Sequence, residues 1–283
     1  MSAVKTPLLT DDAFLQDVSR AALARDQLSL WWVGQSGFLV QWQGRHLLLD
    51  PYLSESLTHK YAATDKPHVR MTARVVAPER LDFIDVVTSS HNHTDHLDAE
   101  TLLPLRRANP TLTLMIPEAN RAFVADRLGC DPAWPVGLDV GVSATAGEFT
   151  LTGVPAAHET IDRDAAGRHR CLGYIVRCGP WTLYHSGDTV CYDGMVKTLR
   201  PLGIDIALLP INGRAPERRV AGNLDGREAA ELAHAIGAGC AIPCHYDMFA
   251  FNTASPAAFV AACTRLGQPA VVLQQGERWS GRQ

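Results

Sequence analysis

Four side chains that can bind a metal ion lie within residues 91–96, which read His-Asn-His-Thr-Asp-His. They follow the largely apolar run 84–87 and a pair of serines. A strand that ends there would place these side chains at the edge of a sheet, where α/β proteins usually build their sites. Imidazole and carboxylate ligands suit zinc, iron(II) and manganese(II). The segment alone leaves two interpretations open, a metal site and a polar loop rich in histidine.

The spacing within this segment divides it into two pairs. His91 and His93 are two residues apart, and in extended backbone such side chains point in the same direction. We therefore expect both to bind one ion. Asp95 and His96 follow at the turn and are free to bind a second ion. This hypothesis needs further ligands from distant parts of the chain.

His158, Asp188 and His245 are the distant candidates, and each follows a predicted strand. Alone, each has an ordinary explanation, since a histidine beside a strand is usually a hydrogen-bonded surface or core residue and Gly-Asp is common in turns. Together with residues 91–96, the three favour a metal centre.

Strands and helices that would position these residues alternate along the chain. Apolar runs predict strands at 28–33, 38–42, 45–49, 84–88, 112–116, 148–155, 171–177, 181–185, 204–210, 239–243 and 270–274. Helical spacing and capping residues predict helices at 11–25, 97–108, 118–128, 225–236 and 255–266. The polar stretch 51–83 is predicted to be a long loop near the site. We expect a single domain, residues 1–283, of two layered sheets flanked by helices.

Composition and charge exclude several classes of protein. The chain is 46% hydrophobic with a net charge of −4, which indicates a packed core and argues against a nucleic-acid partner. No apolar run reaches about 18 residues, so no membrane span is expected, and residues 1–25 lack the apolar core of a signal peptide. The seven cysteines have no CxxC spacing and indicate reduced thiols of a cytoplasmic protein. Cys244, beside His245, is a weaker candidate ligand.

The order of the candidate ligands resembles the metallo-β-lactamase fold superfamily of binuclear metallohydrolases, whose HxHxDH motif is followed by a separate His, Asp and His. The resemblance implies an α/β (in some schemes α+β) fold, a four-layer αββα sandwich of two mixed β-sheets flanked by helices. It assigns the ligands to two ions that share one carboxylate: His91, His93 and His158 for the first, Asp95, His96 and His245 for the second, and Asp188 for both. Asp50, after the opening strands, corresponds to a residue that supports the ligand loop by hydrogen bonding.

Four short sequence segments resemble the branch of this superfamily that contains L-ascorbate-6-phosphate lactonase. These segments are Trp-Val-Gly-Gln-Ser-Gly at 32–37, Tyr-His-Ser-Gly-Asp-Thr at 184–189, Pro-Ile-Asn-Gly at 210–213 and Ile-Pro-Cys-His-Tyr-Asp-Met-Phe at 242–249. The implied function is a metal-dependent hydrolase in which hydroxide bound by two ions attacks a small ester, lactone or phosphorylated metabolite. The implied cofactors are two divalent ions, zinc or manganese, with iron as an option. Asp95 is expected to orient the hydroxide and to pass a proton to the leaving group.

Five further residues are expected to contact the substrate: His185, Tyr192, Asn212, Arg214 and Tyr246. The guanidinium group of Arg214 suits a phosphate or carboxylate. Each has an alternative, which is packing for the tyrosines, a solvated loop for the arginine and orientation of Asp188 for His185. His68, Arg70 and Arg74 are interpreted as solvated loop residues in preference to a rim for anionic substrates.

Other functions stay open. A phosphodiesterase of the same fold uses the same metal pair, but the acidic charge and the absence of a large inserted domain disfavour nucleic-acid processing. Redox chemistry at a di-iron centre is disfavoured because no flavin module is present. A non-catalytic metal-binding scaffold is disfavoured because all seven expected ligand positions are filled. The expected partner is a small-molecule substrate, anionic ones included, with no nucleic acid and no membrane. A homo-oligomer stays open.

Overall fold

Two β-sheets pack face to face and carry helices on their outer faces in the computed structural model, which describes residues 4–282. The strands are β1 (Leu28–Gly34), β2 (Gly37–Trp42), β3 (Arg45–Leu49), β4 (Val86–Thr88), β5 (Thr113–Pro117), β6 (Val136–Leu138), β7 (Ser143–Ala146), β8 (Phe149–Pro155), β9 (Leu172–Cys178), β10 (Trp181–His185), β11 (Ile206–Pro210), β12 (Cys240–Cys244) and β13 (Arg278–Gly281). The α-helices are α1 (Asp11–Ala21), α2 (Ser56–Tyr61), α3 (Ala99–Ala108), α4 (Arg121–Leu128), α5 (Met195–Leu199), α6 (Gly226–Ile236) and α7 (Ala257–Leu266). Short 3-10 helices cover Pro78–Arg80, Glu118–Asn120, Arg200–Leu202 and Pro216–Arg218.

Both sheets mix parallel and antiparallel pairs. The first has seven strands in the order β13-β1-β2-β3-β4-β5-β6, antiparallel from β13 to β3 and parallel from β3 to β6. The second has six in the order β12-β11-β10-β9-β8-β7, parallel from β12 to β10 and antiparallel from β10 to β7. The expected fold, two mixed sheets flanked by helices, is confirmed.

Alternate residues of the strands face different cores. On β1, Leu30 and Trp32 belong to the core shared with the second sheet, whereas Trp31 and Val33 belong to the core under α1, α3 and α4. All seven residues of β1 are buried, as expected for a strand covered on both faces. This double cover explains why the strand reads as a continuous apolar run.

The sequence prediction was wrong at several edges. Residues 270–274 form no strand but only an isolated bridge between Ala270 and Ala241. Strands β6, β7 and β13 and helix α5 were not predicted. β7 reads Ser-Ala-Thr-Ala at the end of its sheet, so it lacks the apolar alternation of an interior strand. The predicted loop 51–83 contains α2. That residues 1–283 form a single domain stays a prediction.

The carboxyl ends of six strands meet at one edge of the sandwich. β1, β3 and β4 run in the same direction in the first sheet, as do β8, β10 and β12 in the second. The chain leaves these ends into the segments that contain the candidate ligands, so the topology assembles them. Among residues 4–282, the structure contains no helix with the length and apolar character needed to cross a bilayer.

Candidate metal centre

The seven residues that the sequence suggested as ligands converge at this edge in three overlapping groups. Within each group the candidate ligand atoms lie within 4.8 Å of one another. The groups are His91, His93 and His158; His91, His96 and Asp188; and Asp95, His96 and His245. The chain thus brings together side chains that are up to about half its length apart in sequence.

Asp188 lies between the other ligands. Its Oδ1 atom is 3.3 Å from Nε2 of His96, and its Oδ2 atom is 3.2 Å from Nε2 of His245. The same Oδ2 atom is 3.8 Å from Nε2 of His158. Asp188 is thus close to histidines of both the first and the third group, as a carboxylate that bridges two ions would be.

Hydrogen bonds around the cluster fix the orientation of two rings. Nδ1 of His96 donates to Oδ2 of Asp50 at 2.7 Å, and Asp50 also accepts from the Thr88 hydroxyl at 2.7 Å and the Ser90 amide at 3.1 Å. Nδ1 of His158 donates to a backbone carbonyl oxygen at 3.0 Å. Each ring therefore presents Nε2 to the cluster, as is usual for histidines that bind metals. The contacts of Asp50 are those of an orienting carboxylate.

The donor set fits divalent metal ions. Nε2 of His91 is buried and has no hydrogen-bond partner among residues 4–282. Nε2 of His158 lies 3.2 Å from Nδ1 of His93. Buried polar atoms without partners are rare in proteins and call for an explanation such as the binding of an ion. Imidazole nitrogens with a few carboxylate oxygens suit zinc, manganese and iron.

Burial acts to lower the pKa values of His91, His93 and His245, whereas nearby carboxylates act to raise them. Burial lowers the pKa of His91 and of His93. Burial also acts to lower the pKa of His245, but the carboxylates of Asp188 and Asp95 outweigh it and raise that pKa to about 9. Without an ion, the carboxylates are thus balanced by protons on histidine. Metal binding replaces such protons, because a histidine ligand must be neutral at the nitrogen that binds.

Backbone conformation at the site is unusual. Gly187 has φ of 59°, and a Cβ atom there would lie 2.8 Å from Cβ and Oγ of Ser90. Only glycine allows the segment before Asp188 to approach the ligand loop so closely. Gln35 and His245 adopt φ of 49° and 61° although they are not glycines. Such conformations cluster at functional sites.

A cavity of about 300 Å³ opens onto the cluster. Five of the candidate ligands line this cavity: His93, Asp95, His158, Asp188 and His245. Apolar and aromatic lining comes from Leu57, Tyr61, His68, Phe249 and Phe251. Polar lining includes Gln35, Lys60, Asn92, Arg127 and Asn252. These five candidate ligands are thus accessible to a small molecule, whereas His91 and His96 are buried behind them.

Gln35 is a residue of the site that sequence reasoning missed. Its Nε2 atom donates to Oδ2 of Asp95 at 2.7 Å and lies 3.0 Å from Nε2 of His245. The sequence feature that could have identified Gln35 is its position just after a predicted strand, the same feature that identified the other candidates. It was used only as part of the 32–37 segment that carries the family resemblance.

The five residues expected to contact the substrate do not line this cavity, so their contacts with a substrate stay predictions. His185, Tyr192 and Tyr246 each donate a hydrogen bond to a backbone oxygen, at 2.9, 2.9 and 2.6 Å, in Ser36, Pro155 and Leu273. His185 and Tyr246 are buried, and Tyr246 packs on Trp32 with 4.4 Å between ring centroids. These side chains therefore stabilise the fold around the site.

Arg214 and Asn212 do not line the cavity either. Both terminal nitrogens of Arg214 donate to Glu228 at 2.6 Å, so the fork that would suit a substrate anion is occupied. Asn212 is buried and donates to Oδ1 of Asn252, which itself lines the cavity. Cys244 is buried and belongs to none of the ligand groups, and burial raises the pKa of its thiol.

The interpretation of His68 and Arg70 as solvated loop residues is wrong. His68 lines the cavity, and Arg70 is buried with its Nη1 atom donating to a backbone oxygen at 3.3 Å. Polar residues in a long loop carry no sequence periodicity that would report such burial. Their positions become visible only when the loop is packed against the segment after β12.

Comparison with known proteins places this site in a family. The Beta-lactamase superfamily domain matches residues 45–246. A UPF0173 metal-dependent hydrolase of Alkaliphilus metalliredigens is 30% identical over 237 residues, covering 82% of this chain and 91% of the relative. The chain belongs to the UPF0173 metal-dependent hydrolase family of the metallo-β-lactamase superfamily.

Further similarities agree with this membership. The hydrolase is 29% identical over 255 residues to a UPF0173 metal-dependent hydrolase of Opitutus terrae, covering 88% of this chain and 98% of the relative. Its fold is similar to that of Igni18, a metallo hydrolase from the archaeon Ignicoccus hospitalis, with a TM-score of 0.66 at 21% identity. That alignment covers 91% of the hydrolase and 99% of Igni18. The hydrolase is thus a metal-dependent enzyme of this fold.

Proposed function

We propose that the hydrolase binds two divalent ions and uses them to cleave a small ester, lactone or phosphorylated metabolite. The proposed ligands are His91, His93 and His158 for one ion, Asp95, His96 and His245 for the other, and Asp188 for both. The observation that carries the proposal is the position of Asp188. Its Oδ2 atom is 3.8 Å from Nε2 of His158, a proposed ligand of the first ion. Its Oδ1 and Oδ2 atoms are 3.3 and 3.2 Å from Nε2 of His96 and of His245, proposed ligands of the second ion. Zinc or manganese is the proposed metal, and iron also suits the donor set.

Two divalent ions held by these residues would lower the pKa of water to near neutrality and would polarise the bond under attack. The side chains of the protein then position the reactants. Gln35 donates to Oδ2 of Asp95 and restrains that carboxylate. We propose that Asp95 accepts a proton as attack begins and returns it to the leaving group. No described residue donates a hydrogen bond to its Oδ1 atom, which is the proposed proton-carrying oxygen.

The size and lining of the cavity support a small substrate. A volume of about 300 Å³ lies at the lower end of the range for small-molecule pockets, and a nucleic-acid chain is not a fitting partner. Arg127 lines the cavity and donates from Nη1 to the backbone oxygens of Asn92 and Leu97 at 2.6 and 3.3 Å. Its charge supports an anionic group on the substrate. A lactonase-like substrate within this class rests on the resemblance of segments such as 32–37 and 242–249.

An activity panel tests the proposal and its alternatives. Wild-type protein and Asp95→Asn, both reconstituted with zinc or manganese, are assayed with lactones, aryl esters, phosphodiesters and sugar phosphates. We expect two ions per wild-type chain, turnover of an ester or lactone, and no turnover by the variant. Hydrolysis of phosphodiesters alone would favour the phosphodiesterase alternative. Two bound ions without turnover of any substrate would favour a metal-binding scaffold.

A further inference from the structure

Four aromatic side chains form one continuous side of the cavity, here called the aromatic wall: Tyr61, His68, Phe249 and Phe251. The ring of His68 stacks on Tyr61 with 4.2 Å between centroids and an interplanar angle of 19°. Phe249 and Phe251 meet the same ring edge-on at 5.0 and 4.5 Å. His68 is therefore held in one orientation by rings on three sides.

The hydrogen bonds of His68 determine which nitrogen is free. Nδ1 lies 3.1 Å from the carbonyl oxygen of Lys66, so it carries the proton and donates. The hydroxyl of Thr58 donates to the carbonyl oxygen of His68 at 3.0 Å and anchors the backbone. In the neutral ring, Nε2 then carries a lone pair. No residue among 4–282 forms a hydrogen bond with that nitrogen, and burial lowers the pKa of His68, which favours the neutral ring.

Packing alone does not account for this arrangement. The wall adjoins an apolar cluster of buried residues, Tyr52, Leu57, Met248 and Phe249, so that Phe249 belongs to both. Tyr61 and Phe251 are only partly buried at the edge of this cluster. His68 is not part of the ligand groups, although it lines the same cavity as Asp95. A half-buried imidazole in the lining of a cavity, with one nitrogen that forms no hydrogen bond to any described residue, suits recognition of a ligand better than stabilisation of a core.

We propose that the aromatic wall is the specificity subsite for a planar, aromatic part of the substrate, and that Nε2 of His68 accepts a hydrogen bond from a hydroxyl or amide group on that part. Aromatic pairs favour edge-to-face and offset-stacked contacts beyond the area they bury. The substrate class is therefore a small aryl ester or lactone that carries a hydrogen-bond donor. The reaction part of this inference rests on the proposed function, whereas the binding part does not require turnover.

Binding of three small probes tests the subsite without relying on catalysis. Phenol, anisole and cyclohexanol are titrated into metal-reconstituted protein by ligand-observed NMR. Phenol offers a ring and a donor, anisole a ring only, and cyclohexanol a donor without a ring. We expect phenol to bind about two- to tenfold more tightly than either of the others, the range that one hydrogen bond or one aromatic contact supplies.

Two variants separate the contributions. His68→Phe keeps a ring in the wall and removes Nε2, so it should abolish the preference for phenol over anisole. Phe251→Leu removes one ring, so it should reduce the preference for phenol over cyclohexanol. The matched controls are His234→Phe, on the exposed face of α6, and Phe83→Leu, which packs against His46 away from the cavity. Neither control should change any of the three affinities.

The outcomes distinguish this inference from the proposed function when hydrolysis of phenyl acetate is measured in parallel. Equal binding of the three probes, or a preference for phenol that persists in His68→Phe, overturns the subsite even if phenyl acetate is hydrolysed. A preference that His68→Phe abolishes supports the subsite even if no ester is cleaved, and in that case the proposed function fails alone. The metal content of His68→Phe should equal that of the wild type, which excludes an indirect effect through the cluster.

Discussion

The metal cluster and the aromatic wall line one cavity, yet they use histidine in opposite ways. At the cluster, the carboxylates of Asp188 and Asp95 raise the pKa of His245 to about 9 against the effect of burial. At the wall, the neighbours of His68 are aromatic rings, and burial lowers its pKa. A histidine at the cluster can thus exchange its proton for a metal cation, whereas His68 at the wall can accept a hydrogen bond.

The two regions also differ in what supports them. The ligands follow the ends of buried strands, and Asp50 and Gly187 fix their approach through hydrogen bonding and close contact. In the wall, Tyr61 ends α2, a helix of six residues without a side-chain cap, His68 lies in the irregular segment after that helix, and Phe249 and Phe251 follow β12. With the proposed roles, reactive groups lie at strand ends and specificity groups in loops, an arrangement in which the substrate can change while the chemistry is kept.

The largest expected effect is at the cluster. Asp188→Asn replaces a ligand oxygen with an amide that cannot bridge two ions, so metal content should fall below two per chain and turnover should fall to background. Metal analysis and the ester assay measure this. Asp193→Asn, an exposed aspartate in the following loop, is the matched control and should leave both unchanged. Full metal content and full turnover in Asp188→Asn would contradict the bridging role.

A smaller effect is expected one contact away from the ligands. Asp50→Asn weakens the acceptor of the His96 Nδ1 proton, and loss of such an orienting carboxylate typically reduces metal affinity about 10- to 100-fold. Competition with a chromophoric chelator measures the affinity. An affinity equal to that of the wild type would mean that His96 is oriented by its packing alone.

His46 shows what burial does to a histidine away from the cluster. Burial lowers its pKa to about 4, although nearby Asp85 raises it. The folded state therefore binds the proton less readily than the unfolded state, so stability from the neutral ring is present above pH 6.5 and is lost as pH falls towards 4. Between pH 7 and 5, the unfolding free energy should fall by about 2 kcal/mol more in the wild type than in His46→Leu. Denaturant unfolding of both proteins with excess chelator measures this, and parallel pH profiles would refute it.

The smallest effect is expected at the wall. Tyr61→Leu removes the ring that stacks on His68 and should raise KM for an aryl ester about two- to tenfold, the range of one aromatic contact, with metal content unchanged. Steady-state kinetics and metal analysis on the same sample measure both. A loss of metal in this variant would show that the wall supports the cluster and would remove the distinction between the two regions.

The difference between the regions explains what the sequence could predict. His91 and His93 lie two residues apart, and His158, Asp188 and His245 each follow an apolar run, so strand prediction places each of them at the end of a strand. The family resemblance then assigned them to one site. The roles of the other candidate residues depend on which side chains they contact in the folded protein. Arg214 looked like a free anion-binding residue, but Glu228, which also caps α6 with Asp225, occupies its guanidinium group.

The wall was not predictable because its residues lack a pattern. Tyr61 and His68 lie in a polar stretch that was interpreted as a loop, and Phe251 lies beyond the last ligand without a periodic apolar run. Their proximity depends on the packing of α2 against the segment after β12, which no local signal encodes. Similarly, β7 escaped prediction because its exposed edge carries small polar residues.

Anomalous X-ray diffraction from crystals of the manganese- or zinc-loaded hydrolase tests the two-ion site most directly. We predict two peaks about 3.5–4 Å apart, the separation usual in two-metal sites. One should lie among His91, His93 and His158, the other among Asp95, His96 and His245, with an oxygen of Asp188 next to each. A single peak in fully loaded crystals, or two peaks of which one does not contact Asp188, would contradict the proposed centre.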